Sequence, residues 1–195
     1  MVSDGSEAGI PNAVKILVAG GFGVGKTTMV GAVSEIAPMS TEELLTEAGV
    51  GVDDLAGIED KKTTTVALDF GRITLSEKVI LYLFGTPGQG RFWFMWDELA
   101  YGCLGAVVLA DTRRLDTCFP SIDFFERRGI PFVIAVNRFP DAAGYEISEL
   151  RDALDVSPDT PVVLCDARDR ESAKEVLVTL VEYVLRKQPA TSATM

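Results

Sequence analysis

The sequence predicts an α/β fold of three layers, with helices on both faces of a mostly parallel six-stranded sheet that carries one antiparallel hairpin. Three observations lead there. Short apolar runs alternate with stretches of helical periodicity. A glycine-rich loop joins the first apolar run to the first helical stretch, and two neighbouring runs are linked through Ser76-Glu77 as in a hairpin. At 195 residues, 47% of them apolar, the chain suits one compact domain with a substantial core.

Residues 1–12 mix Gly, Ser, Asp and Pro without periodicity and read as a flexible lead-in to a domain over 13–187. Lys15-Ile16-Leu17-Val18-Ala19 is a buried strand closed by two glycines. Met29, Val30 and Val33 then recur at helical spacing, and Pro38 stops the helix. The polar stretch 40–62 carries Glu42, Glu43, Glu47, Asp53, Asp54, Glu59 and Asp60, with weak helical patterning over 41–48. It is long for a passive connection and reads as a mobile functional segment. Runs at 66–70 and 78–84 form the hairpin, and runs at 105–110, 131–136 and 161–164 complete the six strands. Helical stretches at 121–128, 147–154 and 171–186 alternate with them. Right-handed crossovers then place helices on both faces and ligands beyond the carboxyl ends of the strands. Residues 188–195 read as a disordered tail.

Lys and Arg number 18 against 29 Asp and Glu, a formal charge of -11, and no cationic cluster appears. That excludes nucleic acid as the expected partner and argues against an anionic membrane surface. Cys103, Cys118 and Cys165 are widely spaced and the chain has no histidine, so buried thiols are expected rather than a zinc site. The ends show no signal-peptide pattern, no myristoylation glycine after Met1 and no prenylation cysteine. The expected location is therefore cytoplasmic, with any membrane recruitment left to partners.

Gly20-Gly21-Phe22-Gly23-Val24-Gly25-Lys26-Thr27 fits G-x-x-x-x-G-K-[ST] in full. Glycines let the backbone curl so that successive N–H groups point inward, and the following helix adds its positive end. Such a P-loop binds a nucleoside triphosphate: Gly21, Phe22, Gly23, Val24 and Gly25 form the cradle, Lys26 reaches the β- and γ-phosphates, and the Thr27 hydroxyl ligates Mg²⁺. Thr28 stands beside it at the helix start. An ordinary glycine-rich turn with a solvated lysine would lack the strand and helix flanks found here.

Gly85-Thr86-Pro87-Gly88-Gln89 follows the second hairpin strand directly. With the P-loop, the run from Lys62 through Thr63, Thr64, Thr65 and Asp69 to Gly71, the loop at Asn137, and Cys165-Asp166-Ala167-Arg168, the chain resembles the Ras-like small GTPases. More narrowly, it is similar to the bacterial MglA-like GTPases of actinobacterial conservons, from Lys15 to about Arg186. The resemblance implies a small G-protein fold, GTP and GDP as ligands with Mg²⁺, and a switch that hydrolyses GTP. Thr65, with Thr64 competing in register, would close over Mg²⁺ and the γ-phosphate as switch I. Gly88 would bond the γ-phosphate through its N–H, and Gln89 would orient the attacking water.

The chain departs from that pattern in three places. Gly85 replaces the aspartate that usually supports the magnesium, leaving Mg²⁺ to Thr27, Thr65 and water with help from Asp69 or Asp111. Phe22 stands where glycine is common, which predicts slow intrinsic hydrolysis. Guanine reading by Asn-Lys-x-Asp becomes Asn137-Arg138-Phe139-Pro140-Asp141, with the aspartate displaced by one residue. Asn137 should tie this loop to the P-loop, Arg138 could stack on the base, and Asp141 reaches guanine only if Pro140 bulges the loop. An ATP preference therefore stays open. Ala167, flanked by Asp166 and Arg168, aligns with the element that offers a backbone N–H to the base.

Arg91-Phe92-Trp93-Phe94-Met95-Trp96 follows the glutamine. Its rings either pack beneath switch II or, through Phe92, Trp93 and Trp96, anchor a partner. The resemblance implies a small roadblock-fold regulator there that stimulates hydrolysis, within a sensor-kinase-like complex. Arg91 is either a cation supplied in cis or a solvated side chain. The alternatives to a switch are a nucleotide-binding scaffold subunit without useful hydrolysis and an ATP-using P-loop kinase.

Overall fold

The computed structural model describes residues 11–37, 39–45, 64–88 and 94–187. The described chain runs β1 (Asn12–Gly20), α1 (Lys26–Val33), β2 (Met39–Leu45), β3 (Thr64–Ser76), β4 (Val79–Gly85), α2 (Trp96–Ala100), β5 (Gly105–Ala110), α3 (Phe119–Arg128), β6 (Phe132–Asn137), α4 (Ile147–Leu154), β7 (Val162–Cys165) and α5 (Arg170–Lys187). The sheet order is β2-β3-β4-β1-β5-β6-β7. β1 pairs in parallel with β4 and β5, and β3 is antiparallel to both β2 and β4.

The six predicted strands and the hairpin are present, and β2 adds a seventh strand at one edge. Its Glu-Glu-Leu-Leu composition favours a helix locally, which is what the patterning over 41–48 suggested. Backbone pairing with β3, from Met39↔Phe70 to Leu45↔Thr64, overrides that preference. β3 also runs further than the predicted 66–70, and it carries a β-bulge between Thr74 and Ser76 just before the turn into β4.

The central strands β5 and β6 are buried at every position, as strands covered on both faces must be. One face of the sheet packs Ile16, Val18, Met29, Leu109, Val176 and Leu180 under α1 and α5. The other packs Leu17, Trp96, Phe124, Phe125, Ile134 and Leu154 under α2, α3 and α4. Local signals set the helix ends. Pro120 opens α3 and Gly129 closes it in the left-handed conformation, while Glu146 and Glu149 form a capping box on α4. Among the described residues, no helix is long and apolar enough to cross a membrane.

Candidate functional site

The carboxyl ends of β1, β4, β5 and β6 converge on the loop 20–27. Gly20, Gly23 and Gly25 have φ of 132°, 74° and 108°, conformations that L side chains resist, so these glycines make the curl of the loop possible. Space is as tight as conformation. A Cβ on Gly25 would lie 2.8 Å from Asn137 Nδ2, and one on Gly21 would lie 2.5 Å from Thr117 Oγ1. Lys26 folds back so that Nζ donates to the carbonyls of Gly20 at 3.0 Å and Gly21 at 2.7 Å. Burial lowers its pKa from 10.5 to about 8, opposed by the charge of Asp69. A buried ammonium held by neutral carbonyls is a site that a polyphosphate anion fits.

Thr27 Oγ1 donates to Asp69 Oδ2 at 2.7 Å. Asp69 lies on β3 directly across from Gly85, and a Cβ at Gly85 would lie 2.8 Å from that same carboxylate oxygen. A carboxylate from the neighbouring strand therefore occupies the space that Gly85 leaves at the end of β4. Of the two aspartates considered from the sequence, Asp69 is the one beside Thr27. Asp111 is instead gripped by Arg113, whose Nε and Nη2 donate to its two oxygens at 2.9 and 2.8 Å. A hydroxyl beside a nearly buried carboxylate is a hard-oxygen pair of the kind Mg²⁺ accepts, and Thr27 and Asp69 are the residues that would hold the ion. Thr65 lies in β3 opposite Leu44, with its side chain outside the described residues.

The N–H of Thr86 donates to the carbonyl of Val18, which carries the chain after β4 across the loop. A Cβ on Gly88 would lie 2.6 Å from Lys26 Nζ and 3.1 Å from the nitrogen and Cα of Phe22. Gly88 thus stands over the loop at Lys26. The Phe22 ring is 69% exposed, so the crowding expected of it falls on the lip of the loop rather than inside. Gln89, Arg91, Phe92 and Trp93 lie outside the described residues. Trp96 is 2% exposed and meets Phe124 edge-on at 5.0 Å, so the core takes up this one of the three aromatics assigned to a partner surface. Phe94, at 65% exposure, is open to solvent.

Asn137 ties the loops as expected. Its Nδ2 donates to the carbonyl of Val24 at 2.9 Å, and its Oδ1 accepts from the N–H of Ala167 at 3.0 Å. The Ala167 N–H is therefore engaged with Asn137. Arg138 is exposed, and its own N–H bonds the carbonyl of Cys165. Asp166 is chelated by Arg168, whose hydrogen bonds hold its pKa down to about 2. Asp141 accepts from Arg113 Nη1 through both oxygens, at 2.7 and 2.9 Å, while the Arg113 guanidinium sits 3.9 Å above the Phe139 ring. Sequence reasoning did not single out Arg113, Arg114 or Thr117. The available signal was their position directly after β5, at the edge of the sheet where such folds bind ligands.

Residues 18–187 match the protein family described as "Conserved hypothetical ATP binding protein". The chain belongs to that family. The chain is also 33% identical over 139 residues to "Uncharacterized protein MJ1339" of Methanocaldococcus jannaschii, covering 70% of this chain and 77% of the relative. Among solved structures, the fold matches the cytosolic domain of the T. maritima FeoB iron transporter in a GDP form, with a TM-score of 0.63 at 19% identity. That match covers 90% of this chain, and the chain spans 65% of the FeoB domain's length. The FeoB G-domain from Methanococcus jannaschii gives a TM-score of 0.59 at 14% identity, over 89% of this chain and 99% of the domain. This family member therefore has the P-loop G-domain fold.

Proposed function

We propose that the protein is a Mg²⁺-dependent guanine-nucleotide switch of the MglA-like type, with slow intrinsic hydrolysis raised by a roadblock-fold partner. The observation that carries this reading is the joining of a complete P-loop to Asn137, which holds the P-loop at Val24 and the 165–168 loop at Ala167. When bound, Mg²⁺ supplies positive charge to the β- and γ-phosphate oxygens. Lys26 and the loop N–H groups bind the phosphates, Thr27 and Asp69 hold the cation's place, and Gly88 lies where a γ-phosphate is sensed. Gln89 orients the attacking water, and Thr65 completes the closed state. The partner reads the segments around residues 40–65 and 85–98, with Phe94, Phe92 and Trp93 as its aromatic contacts.

A second reading, ATP in place of GTP, is favoured by two observations. Asp141, the candidate guanine reader, has both carboxylate oxygens on Arg113, and the family description names ATP. Equilibrium titration with labelled GTP, GDP and ATP, with and without Mg²⁺, separates the two. Guanine-nucleotide binding at least about tenfold tighter than ATP binding, and Mg²⁺-dependent for GTP, is the expected result. A clear ATP preference would overturn the guanine assignment.

A further inference from the structure

Arg114 stands beside the P-loop at Phe22, the end that the proposed function assigns to the γ-phosphate. Its Nη2 donates to the carbonyl oxygen of Phe22 at 3.1 Å, and a Cβ on Gly23 would lie 3.6 Å from the same nitrogen. Phe22 marks that end because Gly88, Lys26 Nζ and the Phe22 backbone all converge there. The guanidinium is positioned from behind as well. The carboxylate of Asp111 lies 3.8 Å from Nη2, and the carbonyl of Arg114 accepts from Thr117 Oγ1 at 2.8 Å. Thr117 in turn fills the space beside Gly21 that a Cβ would need, so the backbone bearing Arg114 is packed against the P-loop itself. The side chain is 50% exposed, within reach of an incoming anion. A neutral carbonyl is a weaker acceptor for a guanidinium than a phosphoryl oxygen, which makes the present bond a resting contact.

We propose that Arg114 is a catalytic arginine supplied in cis, acting on the transferring γ-phosphoryl group. This rests on the triphosphate-hydrolysing reading above. In the reaction, the water oxygen forms a bond to the γ-phosphorus while the bond from that phosphorus to the β–γ bridging oxygen breaks. The bond's electron pair stays with the nucleoside diphosphate, and the water proton leaves with inorganic phosphate. Arg114 neither gains nor loses a proton. Its N–H groups stabilise the charge that builds on the bridging and γ oxygens. A regulatory partner then needs only to order the switch segments, without inserting an arginine of its own.

The test is single-turnover hydrolysis by the full chain with Mg²⁺ and whichever of GTP or ATP binds more tightly, for the wild type, R114A and R114K. Affinity for the diphosphate, with and without aluminium fluoride, is measured alongside. R114A is expected to slow hydrolysis at least about 100-fold and to lose the tightening by aluminium fluoride, while its diphosphate affinity stays within about threefold. R114K should fall between, since it keeps the charge and loses the fork. R114A turnover within about threefold of wild type, or retained tightening by aluminium fluoride, overturns the proposal. So does a loss of diphosphate affinity as large as the loss of rate, which would mark Arg114 as structural. A wild-type protein that binds nucleotide without turnover overturns the arginine's role and leaves the binding site standing; one that binds neither triphosphate overturns both.

Discussion

Thr27 Oγ1 donates to Asp69 Oδ2 at 2.7 Å, and Asp69 lies across the hairpin from Gly85. The carboxylate and the glycine are complementary, because a side chain at position 85 would occupy the carboxylate's space. D69N should therefore weaken Mg²⁺-dependent triphosphate binding by about 10- to 100-fold while changing Mg²⁺-free binding little. G85A should destabilise the fold by about 1–3 kcal/mol through crowding. Titration with and without Mg²⁺ and denaturant unfolding check the two. Full Mg²⁺ dependence in D69N would remove Asp69 from the site.

Lys26 gives a pH signature. Its folded-state pKa is lowered to about 8 from 10.5, so between those values the unfolded chain holds a proton that the folded chain has released. Stability of the ligand-free protein should rise with pH across that window. A bound polyphosphate restores the ammonium, so nucleotide binding near pH 9 should take up a proton. Calorimetry in two buffers of different ionisation enthalpy measures the uptake. Binding without proton uptake at that pH would refute the coupling.

Asn137 holds two loops at once. N137A leaves the Val24 carbonyl and the Ala167 N–H without this partner, at a cost of about 2 kcal/mol in stability. It should also loosen nucleotide binding, because the P-loop is anchored through Val24. Urea unfolding and nucleotide affinity should fall together, and an unchanged affinity would separate the tie from the site.

The acid limb of stability should depend on Arg113. Its hydrogen bonds are the largest cause holding both Asp111 and Asp141 below the usual carboxylate pKa. Carboxylates lowered in the folded state contribute stability that is full above their ordinary pKa and lost as pH falls through the folded value. R113M should be less stable than the wild type at neutral pH, and the difference should close as pH falls through the folded-state carboxylate pKa values. Melting temperature against pH reads both, and a difference that stays constant into acid would contradict the assignment.

The P-loop and its flanks were legible because every signal lies within about twenty-five consecutive residues, a range over which local sequence patterns hold. β5 and β6 were legible as unbroken apolar runs. β2 was not, since Glu42, Glu43, Leu44 and Leu45 favour a helix until β3, distant in sequence, offers its edge. Arg113 and Arg114 read as two solvated charges in sequence. Their meaning arises where β5 ends, between the P-loop at Phe22 and the loop at Asp141. Asp69 was visible as one of two candidates, and strand register brings it, rather than Asp111, beside Thr27.

That register has an origin at the opposite end of the hairpin. Ser76 pairs with Val79, and regular pairing counted back from there would seat Phe70 across from Gly85. The extra residue at the bulge, exposed Leu75, shifts the count by one and brings Asp69 there instead. A surface irregularity beside the turn thus selects between a benzyl ring and a carboxylate beside Thr27. Deleting Leu75 would straighten the ribbon and keep the pair, whereas inserting one further residue there would exchange the carboxylate for the ring.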